Sequence, residues 1–204
     1  KDSVEFIKNS ASSFGFTFIQ IDPQMTINEE NKTVDIIFNI DEGPKVYVNR
    51  ININGNSRTI DKVIRRELSF SEGDAYNKFS INYSKDKIRS LNFFESVELN
   101  EERTSDPDKL NLNIAVIEKN TGSATIGAGY GDQNGTTLTA GISESNFLGK
   151  GQKVKFSTSF SSTQNLYDVS ITEPYFYNKD LSVRGDLYSK FSDPESVNYE
   201  TETV

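Results

Sequence analysis

Two kinds of apolar spacing divide the chain. Up to about Glu118, stretches with helical spacing mix with stretches in which every second residue is apolar; from Asn120 onward only the two-residue period remains. A boundary at Lys119 and Asn120 follows. In the first part Val4, Ile7, Ala11 and Phe14 line one face of a helix, and Gly15 suits its C-terminal cap. "FTFIQID" and "KTVDIIFNID" read as two strands, with Val34, Ile36, Phe38 and Ile40 on one face. "EGP" ends this unit, and "KVYVNRININ" opens the next as a strand. After Gly55, the spacing of Ile60, Val63, Ile64 and Leu68 predicts a short helix, with Thr59 as N-cap and Asp61 where a carboxylate suits the helix dipole. A second helix from about Lys78 to Leu91 turns Ile81, Ile88 and Leu91 inward. "FESVELNEE" and "KLNLNIAVIE" close the unit as strands, the latter alternating Leu110, Leu112, Ile114 and Val116.

Laid over each other, these runs form a repeat. The helix-strand-turn-strand order of the first unit returns in the second, with Val34 matching Leu110 at an offset of 76 residues. The second copy reads strand-helix-helix-strand-strand. The first lacks the leading strand and helix, so Lys1 is expected to fall inside a domain.

After residue 120 the alternation is regular. Ala124, Ile126, Ala128 and Tyr130 share one face of a strand, and Ser123, Thr125, Gly127, Gly129 and Gly131 the other. Leu138, Ala140 and Ile142 continue the apolar face, followed by Val154, Phe156 and Phe160, by Tyr167, Val169 and Ile171, and by Leu181, Val183 and Leu187. Turn sequences "DQNG", "FLGKG", "SSTQN" and "YNKD" separate the runs, giving an antiparallel meander of five strands. Strands of about ten residues with one apolar and one small or polar face fit a transmembrane barrel. A soluble β-sandwich also alternates, but it would need large apolar residues on a second sheet. The cluster Tyr175, Phe176, Tyr177 at a strand end suits an aromatic girdle at the membrane interface. Five strands are fewer than the roughly eight of the smallest membrane barrels, so the chain is expected to stop mid-barrel at Val204.

Composition removes several functions. A net charge of -8 without a basic stripe argues against nucleic acid as a partner. No run approaches the roughly 18 apolar residues of a membrane helix. With no His and no Cys, a Ser-His-Asp triad, a thiol nucleophile and the usual zinc ligands cannot be built, and no "GxSxG" elbow occurs. "GAGYGDQNG" lacks the spacing of a nucleotide loop and leads into another strand. The acid pairs Glu29, Glu30 and Glu101, Glu102 read as solvated turns and strand ends. No enzyme, metal or cofactor is expected.

The repeat resembles two POTRA domains, the first incomplete. "EKNTGSATIGAGYG", the "NFLGKGQ" turn and the "EPYF" strand end resemble the start of the barrel in BamA-type outer-membrane assembly factors. The resemblance implies α+β POTRA repeats of β-α-α-β-β order followed by an incomplete antiparallel transmembrane β-barrel of five N-terminal strands. The implied domains are the C-terminal part of one POTRA domain at 1–43, a complete last POTRA domain at 44–118, and barrel strands at 119–204. It implies a bacterial outer-membrane location with the POTRA domains in the periplasm, and a role in folding and inserting other barrel proteins without ATP. The implied partners are unfolded outer-membrane β-barrel clients, BamD-like and other accessory lipoproteins, periplasmic chaperones and outer-membrane lipid. The family's docking arginine and glutamate fall on Arg65 and Glu72, with Arg66 beside them. The loop after Glu72 and the length of the second helix depart from the family pattern. A secretion pore of two-partner type, exporting one dedicated passenger, shares the architecture and is the alternative.

The glycines of the first barrel strand raise a separate point. Gly122, Gly127, Gly129 and Gly131, with Thr125 and Tyr130, form a strand whose cross-strand packing is weak. Its second edge would have to pair with a final strand, and a seam of that kind opens at low cost. An opened edge is a template for an incoming strand. The competing explanation is steric: a plug, loop or bend that leaves no room for side chains. In the POTRA part, "FTFIQID" and "FESVELNEE" are alternative edges for the same kind of addition.

Overall fold

Among the described residues three helices and ten strands follow one another in the order that the spacing predicts, with shifts at several ends, and one further short strand comes last. The computed structural model describes residues 2–13, 16, 18–29, 31–43, 45–132, 135–192 and 201–203. The predicted positions Phe14, Gly15, Thr17, Glu30, Pro44, Gln133 and Asn134 lie outside them. The chain divides into two units, 1–56 with 64–117 and 57–63 with 118–204.

In the first unit, helix α1 (Asp2–Ser13) precedes a hairpin of β1 (Gln20–Asn28) and β2 (Thr33–Asp41). β1 starts four residues later than the predicted "FTFIQID" strand and runs on through Pro23. Antiparallel pairing from Gln20↔Asp41 to Asn28↔Thr33 fixes this extent. Pro23 is tolerated because this two-stranded sheet has only edge strands. Phe18, ahead of the strand, sets its ring 6.0 Å from that of Tyr76.

The rest of this unit is β3 (Tyr47–Asn54), the C-terminal end of α2 (Asp61–Arg65), α3 (Lys78–Ser90), β4 (Phe94–Arg103) and β5 (Lys109–Glu118) up to Ile117. Its sheet has the order β3-β5-β4, with β3 and β5 parallel from Tyr47↔Lys109 to Asn54↔Ala115. A register shift between Val48 and Arg50 brings Val48 and Ile51 inward. Leu110, Leu112, Ile114 and Val116 of β5 are all buried together with Ile64, Ile81, Ile88, Phe94 and Val97. Each such side chain contributes about 1.5–3 kcal/mol. On the other face, Asn52 and Asn113 hydrogen-bond at 2.8 Å, as do Asn49 and Asn111.

The Asn77 carboxamide oxygen caps α3 by accepting from the Phe79 and Ser80 amides. α2 is shorter than its apolar stripe suggests. After Arg65 the chain tightens, with the amides of Glu67 and Leu68 donating to the carbonyls of Ile64 and Arg65, so Leu68 falls outside the helix. No helix among the described residues is long and apolar enough to cross a membrane, which says nothing of strands.

The second unit is an antiparallel meander of β6 (Gly122–Gly131), β7 (Gly135–Phe147), β8 (Gln152–Phe160), β9 (Gln164–Glu173), β10 (Val183–Ser192) and β11 (Thr201–Thr203). The described residues thus contain six strands where five are predicted, the sixth only three residues long, and the sheet is a partial, unclosed barrel wall. The register keeps the predicted faces intact. Ala124, Ile126, Ala128 and Tyr130 pair with Ile142, Ala140, Leu138 and Thr136, and Ile142, Phe156 and Val169 align across three strands. Leu181 is a correction, since β10 begins only at Val183. This apolar face has no second layer over it among the described residues: Ile126 is 90% exposed and Leu187 68%. A β-sandwich would bury that face, whereas a barrel in a bilayer offers it to lipid.

Candidate functional site: an open strand edge and its root

β6 is the terminal strand of its sheet. One edge pairs with β7 and the other carries no partner among the described residues, leaving a row of backbone donors and acceptors. The small face runs Ser123↔Ser143, Thr125↔Gly141, Gly127↔Thr139, Gly129↔Thr137 and Gly131↔Gly135. The steric explanation of the glycines finds little here. A Cβ at Gly129 or Gly131 would meet nothing within 4 Å, and one at Gly127 only the Thr139 hydroxyl at 2.8 Å. What the glycines remove is side-chain contact along the ladder. Tyr130, on the apolar face near the strand tip, is 80% exposed.

The root of β6 is built differently. Glu118 ends β5 with its side chain only 6% exposed. Its Oε1 accepts the Thr59 amide at 2.7 Å, and its Oε2 accepts the Arg58 amide and the Ser57 hydroxyl, each at 2.9 Å. The Thr59 hydroxyl adds a further bond to Glu118. Burial pushes the Glu118 carboxyl up, but these donors outweigh it and hold the carboxyl down at about 2. Thr59, the predicted N-cap, is therefore a buried partner of Glu118, and α2 begins only at Asp61.

The Thr59 hydroxyl also accepts the Asn146 amide group at 2.8 Å, and Asn146 Oδ1 accepts the Gly151 amide at 2.8 Å. Beside them the turn after β7 approaches so closely that a Cβ on Gly149 would lie 1.9 Å from the Arg58 carbonyl oxygen. Its φ of +70° also favours glycine. The Ile60 amide donates to the Gly149 carbonyl at 3.0 Å. From Asn146 the bonds continue to the strand itself. The Asn146 amide N–H donates to Glu144 Oε1 at 2.8 Å, and the Thr121 hydroxyl donates to the same oxygen. The Ser145 amide donates to the Thr121 carbonyl, and Asn120 caps the Gly122 amide.

Comparison with known proteins bears on this arrangement directly. Residues 46–119 match the POTRA family, a surface antigen variable number repeat, and residues 146–204 match the Omp85 superfamily domain. The chain carries POTRA and Omp85 domains. The outer membrane protein assembly factor BamA of Neisseria meningitidis serogroup B is 35% identical over 193 residues, which is 94% of this chain and 24% of that protein. The chain thus spans about a quarter of this curated relative. The crystal structure of BamA from Haemophilus ducreyi lacking POTRA domains 1-3 superposes with a TM-score of 0.84 at 29% identity, over 97% of this chain and 38% of that one. CdiB from Escherichia coli, with a TM-score of 0.58 and 13% identity over 97% of this chain and 37% of that one, shares the fold. As in the Omp85 family, the strand sheet is an outer-membrane element and the POTRA part is periplasmic.

In the POTRA domain the structure brings Arg65 and Glu72 together. Glu72 Oε1 accepts the Ile51 amide at 3.0 Å, Arg65 Nη2 donates to the Ile51 carbonyl at 2.9 Å, and the two side chains approach to 3.8 Å. The pair covers the edge of β3 away from β5 while each side chain stays close to half exposed. Arg66 is mostly enclosed, its guanidinium 3.6 Å from Glu67. At the edge of the Omp85 sheet, Tyr175, Phe176 and Tyr177 sit in the connection from β9 to β10, where Phe176–Asn178 form a 3-10 turn. The Phe176 and Tyr177 rings pack edge to face at 4.6 Å. Sequence reasoning missed Glu118, Thr59 and Asn146 as one network, because an acid at a strand end gives no sign of which distant donors it meets.

Proposed function

We propose that this chain is part of a factor that folds and inserts β-barrel proteins into the outer membrane, and that the free edge of β6 is where client strands add. The observation that carries this is the combination, in one strand, of a backbone edge without a partner among the described residues and glycines at 129 and 131 that no described neighbouring atom requires. In hydrocarbon, unsatisfied backbone groups cost several kcal/mol each, so an edge of this kind binds an extended client strand strongly. Weak side-chain packing keeps the seam with any closing strand easy to open. The catalysis lies in lowering a folding barrier; no bond chemistry is involved.

Docking of an accessory lipoprotein of the BamD kind is assigned to Arg65 and Glu72, which already form a paired, half-exposed charge site; Arg66 joins it only by leaving Glu67. Tyr175, Phe176 and Tyr177 are assigned to the membrane interface on the same side as the Gly149 turn. Periplasmic chaperones act upstream by delivering clients. The secretion-pore alternative has no observation in its favour, since the likeness to CdiB extends to the fold alone.

Photo-crosslinking from positions 121–131 of the full-length protein, in cells making several outer-membrane barrels, tests the proposal. Crosslinks to terminal strands of many barrel clients are expected. Crosslinks confined to one non-barrel passenger, or to the protein's own last strand, would overturn it.

A further inference from the structure

Glycine-rich strands specify their register poorly, because a shift of two residues keeps every side chain on its own face and meets no clash. β6 is such a case. Displaced by two along β7, Ser123 would face Gly141, Thr125 would face Thr139, and Gly129 would face Gly135. On the apolar face, Ala124 would meet Ala140 and Ile126 would meet Leu138. These pairs are of the same kinds as the observed ones, small or hydroxylated residues on one face and apolar residues on the other. The ladder above Ser123 therefore does not choose its own alignment.

The choice is made at the root. In the observed register the Thr121 hydroxyl reaches Glu144 Oε1, the Ser145 amide reaches the Thr121 carbonyl at 3.2 Å, and the hydroxyls of Ser123 and Ser143 meet at 2.9 Å. In the observed register Thr121 stands opposite Ser145, so a shift of two sets it opposite Ser143 and exchanges the Glu144 carboxylate for a neutral hydroxyl as its nearest acceptor. Glu144 is itself held, since its Oε1 accepts the Asn146 amide, and Asn146 is fixed at the irregularity between β7 and β8 by Thr59 and Gly151. We propose that Glu144 is a positioning residue that sets the register of β6 on β7. A strand that adds to the free edge travels with β6, so Glu144 also sets where that strand stands relative to β7 and the rest of the sheet. This rests on the assembly reading given above.

Disulfide trapping in the full-length protein in its membrane, with any other cysteine replaced, reads the register directly. The pair S123C/S143C reports the native alignment and S123C/G141C the alignment shifted by two. With Glu144 present, only the first pair closes efficiently. In Glu144→Ala the yield of the second pair rises at least tenfold, and in Glu144→Gln, which keeps an acceptor oxygen, it returns towards the original value. Thr121→Val removes the same bond without touching Glu144 and gives the same shift, which covers the case that Glu144→Ala does not fold. A shifted pair that stays as rare in Glu144→Ala and Thr121→Val as in the parent overturns the proposal. A photo-crosslinker at Ala128 separates this result from the assembly reading. Client crosslinks from this position with Glu144 intact support the assembly reading, whereas their absence sinks that reading and leaves the register result standing.

Discussion

β5 and β6 are neighbours in sequence, each ten residues long and alternating, yet they stand in opposite surroundings. β5 lies in the middle of its sheet with Leu110, Leu112, Ile114 and Val116 buried, and both its edges are paired. β6 ends its sheet with Ile126 and Tyr130 exposed and with one edge that has no partner among the described residues. Alternation alone does not separate a core strand from an exposed edge strand. The second face does: asparagines that pair across β5, glycines that pair with little across β6.

The contrast can be broken first at the glycines. Replacing Gly127 and Gly129 with Val adds β-branched side chains opposite Thr139 and Thr137, where the ladder has none on β6, and an insertion assay with purified protein in vesicles is expected to show at least a tenfold loss of client folding. Unchanged insertion would remove the functional half of the comparison.

Next in size is a large-to-small change in each strand. Leu112→Ala empties a fully buried position and is expected to cost about 2–5 kcal/mol in urea denaturation of the POTRA part. Ile126→Ala, at a position 90% exposed, should change stability in detergent by less than about 0.5 kcal/mol. Similar costs at the two sites would mean that β6 is covered in the working protein.

A pH dependence is expected at the Glu118 carboxylate, where β5 ends. Glu118 sits far below its ordinary value of 4.5 in the folded protein, so its contribution is fully present above that value and is lost as pH falls towards about 2. That contribution is about 2 kcal/mol after allowance for partial solvation. Hydrogen exchange of the Arg58 and Thr59 amides should accelerate, relative to the core of β5, across this acid window, and Glu118→Gln should flatten the dependence. An identical profile in Glu118→Gln would assign the acid sensitivity elsewhere.

The smallest expected effect is at β3. Glu72→Ala uncovers the Ile51 amide and should cost about 1 kcal/mol, with Arg65→Ala costing similarly and the two non-additive in a double-mutant cycle. Additive losses would mean that the two residues do not act as one cover.

Much of this molecule is legible in its sequence because the responsible forces are local or periodic. Apolar spacing places α3, β4 and β5 nearly to the residue, and the two-residue period assigns both faces of β6 to β10 correctly. Burial and lipid exposure select the same side chains from either direction. The extent of β1, the early end of α2 and the partners of Thr59 were not legible, since each depends on what lies opposite: a hairpin register, a tightened turn, a carboxylate 59 residues away.

The sequence by itself determined the repeat, the change from mixed to all-strand periodicity and the glycine face, all written in the order of residue types. Only the tertiary structure decided that Arg65 and Glu72 cover one strand edge, that nothing crowds Gly129, and that Glu118, Thr59, Asn146 and Glu144 form one chain of bonds to the root of β6. Hydrogen bonds between residues far apart in sequence carry no periodic signature, so they become visible only when the backbone has brought the donors and acceptors together.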